Sequence, residues 1–267
     1  MADTTVYDLA PGESPLLVSM PHVGTGIPSD LAGRLTTQAS VLPDTDWHLD
    51  RLYNFLGDLN VSVIKARYSR YVIDLNRRAD GLSLYPGQSV TDICPLTGFS
   101  GEPLYLPGQE PEEAEVSGRI EQFWQPYHSC LQEELARIKE KFGYAVLWDA
   151  HSIRSEVPRF FPGKLPDLNF GSGDGTSCAP SLTEKLQQVA AAFPAVSQVL
   201  NGRFKGGAIT RLYGHPEENI HALQLELSQS TYMDESPPFT FREELADSIR
   251  PLLRDLLNTA LMWTPDD

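Results

Sequence analysis

The side chains best suited to chemistry in this chain are two histidines and a glutamate, each placed at the end of a short apolar run. Leu16-Leu17-Val18-Ser19-Met20-Pro21-His22 and Ala145-Val146-Leu147-Trp148-Asp149-Ala150-His151 both finish on an imidazole. Ala222-Leu223-Gln224-Leu225-Glu226-Leu227 carries its carboxylate next to last. Two imidazoles and an acid are the donor types of a hydrolytic metal centre, which takes three protein ligands and leaves a position for water. The third ligand should be an acid from a neighbouring element, and Asp46 or Asp50 qualifies. Asp46 is preferred, because it sits at an expected helix start near the loop that leaves the His22 run. Glutamate is rarely buried without a purpose, and alternation along its run puts Gln224, Glu226 and Ser228 on one face. A general base beside a metal-activated water belongs on such a face.

The remaining histidines are weaker candidates. His48 and His128 fall in amphipathic stretches and read as packing or surface residues, while His215 and His221 flank the Glu226 run without being needed as ligands. The arginines are more telling: Arg67, Arg70, Arg77 and Arg78 crowd one short segment of a chain whose net charge is −15. Arginine forks bind carboxylates through two parallel hydrogen bonds, so this local excess suits an anionic small molecule. Arg70 and Arg77 bracket Tyr71-Val72-Ile73-Asp74-Leu75, an apolar run that predicts a strand, and Asn76 lies beside Arg77. Arg211, in a glycine-bearing stretch over 202–214, is a further candidate. An ordinary surface ion-pair patch is the alternative reading of these arginines.

These residues need elements to position them. The three apolar runs predict buried strands, and open α/β sheets gather their sites at the carboxyl ends of such strands. Helical spacing over 44–59, with Asp44 as cap, predicts one helix; 112–141 predicts a longer one that Pro126 bends or splits; 181–193 and 242–262 predict two more. Strands are expected at 61–66 and 197–201. The stretches 81–109 and 152–179 are rich in turn formers and read as surface excursions, the second ending in Gly171-Ser172-Gly173-Asp174-Gly175, flexible enough for a lid. The whole predicts a single α/β domain: a mixed, mostly parallel sheet with helices on both faces.

Bulk properties bound the function. A chain of 267 residues holds one large domain, and its acidity argues against nucleic acid or an anionic membrane as main partner. No run approaches a membrane span, and residues 1–9 lack a signal pattern. Three widely spaced cysteines, Cys94, Cys130 and Cys178, fit free thiols in a reducing, cytoplasmic setting.

Several stretches together resemble the N-formylglutamate amidohydrolase family, whose activity is the N-formylglutamate deformylase step of histidine degradation. They are Ser19-Met20-Pro21-His22-Val23-Gly24, Asp44-Thr45-Asp46-Trp47-His48-Leu49-Asp50-Arg51-Leu52-Tyr53 and Tyr68-Ser69-Arg70-Tyr71-Val72-Ile73-Asp74-Leu75-Asn76-Arg77. The series continues in order with Trp148-Asp149-Ala150-His151-Ser152, Leu165-Pro166-Asp167-Leu168-Asn169 and His221-Ala222-Leu223-Gln224-Leu225-Glu226-Leu227. The resemblance implies a zinc-carboxypeptidase-like fold shared with aspartoacylase-type deacylases. It implies metal ligands at His22, Asp46 and His151, a general base at Glu226, and a substrate-carboxylate clamp at Asn76 and Arg77. In one respect the chain departs from those relatives, which take an acidic ligand three residues after the first histidine; here that residue is Thr25.

The expectation is therefore a Zn2+ amidohydrolase (another divalent ion would suit the same donors) releasing formate and L-glutamate from N-formyl-L-glutamate. Arg70, Asn76, Arg77 and Arg211 would grip the two carboxylates. The rival expectations are a different N-acyl amino acid deacylase, of the aspartoacylase or succinylglutamate desuccinylase type, and a catalytically silent amino-acid-binding module.

Overall fold

The apolar runs form the centre of one mixed sheet. In the computed structural model, which describes residues 5–82 and 91–265, seven strands lie in the order β1-β3-β2-β4-β7-β5-β6. They are β1 (Tyr7–Ala10), β2 (Leu16–Met20), β3 (Ser62–Ala66), β4 (Ala145–Ile153), β5 (Leu168–Gly171), β6 (Gln198–Leu200) and β7 (Ile220–Ser228). The four inner strands β3, β2, β4 and β7 are mutually parallel. β1 pairs antiparallel to β3 on one side, and β5, with β6 parallel beside it, runs antiparallel to β7 on the other. All five residues of β2 and all nine of β4 are buried. Burial on both faces is why these strands read as continuous hydrophobic runs rather than alternating ones.

Among the described residues seven α-helices accompany the sheet: α1 (Ser29–Ala32), α2 (Leu49–Leu52), α3 (Glu113–Arg119), α4 (Gln125–Phe142), α5 (Pro180–Ala191), α6 (Ala208–Tyr213) and α7 (Glu243–Met262). The period-two alternation of the strands sorts the core into two layers. Leu16, Val18, Met20, Val146, Trp148, Ala150, Leu223, Leu225 and Leu227 pack with α5 and α7 on one face. Leu17, Ala145, Leu147 and Ala222 pack with α4 on the other. On α7 the buried residues Ala246, Ile249, Leu253, Leu256, Leu257 and Ala260 recur at helical spacing and seat it on the first face. Alternation then dictates that Asp149, His151, Gln224 and Glu226 emerge on the α4 side. There the apolar layer gives way to polar groups toward the carboxyl ends of the strands.

Several elements depart from expectation, each for a physical reason. The 44–59 segment is not one helix: only Leu49–Leu52 is α-helical, preceded by His48 in a left-handed conformation (φ 59°). Asp44 does not cap it, because its carboxylate instead accepts from the Tyr71 hydroxyl and the Phe99 amide, both at 2.8 Å. The run 71–75 is no strand but a succession of turns. Asp74 Oδ1 accepts from the Asn76 amide at 2.9 Å, a local bond that competes with extended pairing. The 152–179 excursion holds β5, and 202–214 holds α6. Of the 81–109 stretch, residues 83–90 lie outside the described residues, while Phe99, Leu104 and Tyr105 are buried rather than superficial. The long helix is divided as expected: a π-turn at Ile120–Trp124 separates α3 from α4, with Pro126 in the first turn of α4, where its missing N–H costs nothing.

Candidate metal centre

His22 lies two residues beyond β2, and His151 lies near the end of the adjacent β4. The loop carrying Asp46 is pinned between them, since the Asp46 amide donates to the His22 carbonyl at 3.0 Å. Gly24 makes the approach possible: a Cβ there would meet the Tyr68 carbonyl oxygen at 2.4 Å, so only glycine lets the His22 loop lie against the segment leading to Arg70. The result brings one donor atom each from His22, Asp46 and His151 within 4.8 Å of one another, all buried. Asp46 Oδ2 is 3.2 Å from His151 Nδ1 and 3.9 Å from His22 Nδ1. Asp50, the other acid weighed, is elsewhere: it is exposed and faces Lys65 at 3.4 Å.

The ring nitrogens are already sorted. His22 Nε2 donates to Asp74 Oδ1 at 2.8 Å, and His151 Nε2 lies 3.1 Å from Asp149 Oδ2 and 3.0 Å from Asn76 Nδ2. Both Nδ1 atoms are thereby turned toward Asp46. His22 Nδ1 and Asp46 Oδ1 are buried without a hydrogen-bond partner among the described residues. Orphaned buried polar atoms are costly, of order 1–3 kcal/mol each, unless something else satisfies them. Two unpartnered buried donor atoms within this cluster, with outer carboxylates orienting the imidazoles, fit a divalent cation.

The electrostatics agree. At His22, burial and then the Arg70 guanidinium depress the pKa despite Asp74, which favours a neutral, ligating imidazole. At His151, burial alone pulls the pKa down, but Asp149 and Asp46 outweigh it and leave it well above the ordinary value, so this corner attracts positive charge. Burial by itself would raise Asp74; Arg70 and His22 overcome it and hold that carboxyl well below the usual range.

Glu226 sits on β7 directly opposite His151 in the register of the two strands. Burial first, then the charge of Asp46, push it up to about 8 against the opposing pull of His151. It is joined by Gln224, whose Nε2 donates to Glu226 Oε2 at 3.3 Å. Glu226 and Gln224 line one partly enclosed cavity. His22, His151, Arg70, Asn76, Arg77 and Arg203 line it too.

The structure brings together most of the sequence-predicted residues. Arg70 is buried, donates to Asp74 Oδ2 at 2.6 Å and lies 4.6 Å above the Phe99 ring. Asn76 Oδ1 accepts from the Ile209 amide at 2.9 Å, and Gly207 must be glycine there because a Cβ would strike the Asn76 side chain at 2.3 Å. Arg77 is fastened by Thr91 O at 2.9 Å and Thr91 Oγ1 at 3.1 Å. Arg211 lies outside the cavity lining; its Nε donates to the Gly206 carbonyl at 3.0 Å. Neither His48, which bonds Phe239 O, nor the buried His128 and His221 nor the exposed His215 joins the triad.

Sequence reasoning missed Asp149 and Gln224 as partners, although each lies two residues before a chosen residue on the same strand face. It also missed Arg203 and the aromatic wall of Phe99, Phe160 and Phe204. Residues 171–175 are not a loose flap: Ser172 is buried and exchanges two hydrogen bonds with Asn201, both at 2.9 Å.

A family model described as N-formylglutamate amidohydrolase matches residues 14–233. The chain is 53% identical over 252 residues to the N-formylglutamate deformylase of Pseudomonas putida, and 51% identical to that of Pseudomonas aeruginosa. Each match covers 94% of both chains. The fold superimposes on the crystal structure of N-formylglutamate amidohydrolase from Ralstonia eutropha JMP134 with a TM-score of 0.80 at 24% identity, covering 96% of this chain and 98% of that one. The Agrobacterium tumefaciens gene product Atu2144 follows with a TM-score of 0.71 at 17% identity, covering 96% and 94%. The chain belongs to the N-formylglutamate amidohydrolase family.

Proposed function

We propose that this chain is a zinc-dependent amidohydrolase that converts N-formyl-L-glutamate and water to L-glutamate and formate, the deformylase step of histidine degradation. The observation that carries this reading is the buried His22, Asp46 and His151 triad, with two orphaned donor atoms, whose two histidines line a cavity together with Glu226 and three arginines. The names of the two Pseudomonas relatives support the substrate. His22 and His151 through Nδ1, with the Asp46 carboxylate, would hold the ion; another divalent metal would fit the same donors. Such an ion supplies Lewis acidity toward the formyl carbonyl and makes water a nucleophile at neutral pH.

The protein's own groups do the rest. The Glu226 carboxylate takes a proton from the attacking water and returns it to the amide nitrogen as the C–N bond breaks, leaving formate and a free amine. Arg70, held by Asp74 beside His22, faces the charge that develops on the formyl oxygen. Asn76 and Arg77 orient the α-carboxylate, with Arg211 supporting the adjacent Gly206 backbone from outside. Kinship with zinc-carboxypeptidase-like folds is part of this proposal, and it rests on the same resemblance that placed a carboxylate clamp at Asn76 and Arg77, both of which line the cavity. We take residues 1–267 as one such domain acting on a small anionic N-acyl amino acid, with neither nucleic acid nor membrane as partner. We place it in the cytoplasm, a setting that suits three buried free thiols.

The test is a substrate panel: formyl, acetyl and succinyl derivatives of glutamate and aspartate, with the acid and amine products quantified. Preferred turnover of N-formyl-L-glutamate supports the reading. Preference for an acetyl or succinyl substrate reassigns the chain to another deacylase, and binding without turnover reassigns it to an amino-acid-binding module.

A further inference from the structure

Resting on the proposed deformylase reading, we propose that Arg203 binds the side-chain carboxylate of the substrate and is the residue that selects glutamate. The cavity holds three arginines, and two of them are tied to the metal end. Arg70 donates to Asp74, which in turn accepts from His22. Arg77 donates to the carbonyl of Asn76, whose amide lies 3.0 Å from His151 Nε2. Each is thus two hydrogen-bonded steps from a candidate ligand, close enough to serve the formyl oxygen and the α-carboxylate.

Arg203 enters from the opposite direction. It follows β6, the edge strand three places from β4, so its backbone approaches from roughly 14 Å away across the sheet. Its Nε donates to the Phe160 carbonyl at 2.7 Å, which fixes the plane of the guanidinium. The rings of Phe160 and Phe204 lie 5.7 and 5.4 Å from its central carbon. A planar fork held among aromatic rings in a partly enclosed cavity is suited to a carboxylate taken in two-point fashion, and the low-polarity wall strengthens the attraction. The neighbouring cation, Lys205, is turned to Asp174 at 2.9 Å and does not line the cavity.

The experiment compares N-formyl-L-glutamate with N-formyl-L-norvaline, which replaces the side-chain carboxylate by a methyl group, on the wild type, Arg203→Lys and Arg203→Met. Arg203→Met should lose about 100-fold in kcat/KM on the glutamate substrate while changing by less than about 3-fold on norvaline, because only one substrate presents the charge. Arg203→Lys should fall between, since ammonium keeps the charge but not the fork. Equal losses on both substrates, or none on either, overturn the assignment of Arg203 while leaving the deformylase reading standing. Formate release from neither substrate by the wild type overturns both.

Discussion

At the scale of single residues, the site divides its labour among groups whose environments set their protonation. Glu226 is buried beside Asp46, so its carboxyl resists ionisation, and it can both take and return a proton near neutral pH. Glu226→Gln keeps the shape and removes that function. Turnover should fall by about 10³-fold, within the usual range for losing a general base, while metal content stays unchanged. Formate release and metal analysis on the same preparation check both halves. Asp74 orients His22 by accepting its Nε2–H and also balances the buried Arg70. Asp74→Asn should therefore weaken metal binding by about 10- to 100-fold and lower the Tm as well. Competition titration with a chromophoric chelator and a thermal melt read the two effects; unchanged affinity would show that Asp74 does not support a ligand.

At the scale of elements, His128 links three pieces of chain. From α4 its ring is stacked on Trp124 with centroids 3.6 Å apart, and it bonds the Leu75 carbonyl at 2.8 Å and the Tyr213 hydroxyl of α6 at 2.9 Å. Burial depresses its pKa from 6.5 to about 4. The unfolded chain binds more protons between those values, so this contribution to stability is complete above pH 6.5 and falls away as pH drops through 4. The loss amounts to about 3 kcal/mol for this group. His128→Gln should flatten urea-unfolding stability measured between pH 7 and pH 4.5, and parallel wild-type and variant slopes would contradict it. Elements of this kind were legible in unequal measure. The central strands β2, β4 and β7 announced themselves because strands buried on both faces carry mostly apolar residues, with polar ones confined largely to the site end. The 71–75 run is equally apolar and buried, yet the Asp74 side chain bends it into turns, and periodicity cannot see a bond from a side chain to its own backbone. β1, at one sheet edge, spans four residues and is at most half-buried, too little for a pattern, whereas β6 at the other edge falls inside the strand expected over 197–201.

At the scale of the whole molecule, the sheet order explains what sequence spacing could and could not locate. His22, His151 and Glu226 were found because each belongs to one of three adjacent parallel strands or the loop that directly follows it. Asp46 required a guess about a loop, and tertiary bonds at Asp44 and Asp46, not a helix start, hold it in place. Arg203 was passed over in favour of Arg211, since nothing local reveals that β6 lies at the far edge and sends its following residues back over the cavity. The central claim is that His22, Asp46 and His151 hold a divalent ion on which deformylation depends. Metal analysis paired with formate release, on the wild type, on chelator-treated wild type and on His151→Ala, tests it most directly. We predict one equivalent of metal and formate release in the wild type, loss of both on chelation with recovery on adding zinc, and loss of both in His151→Ala. Undiminished formate release by chelated protein or by His151→Ala would contradict it.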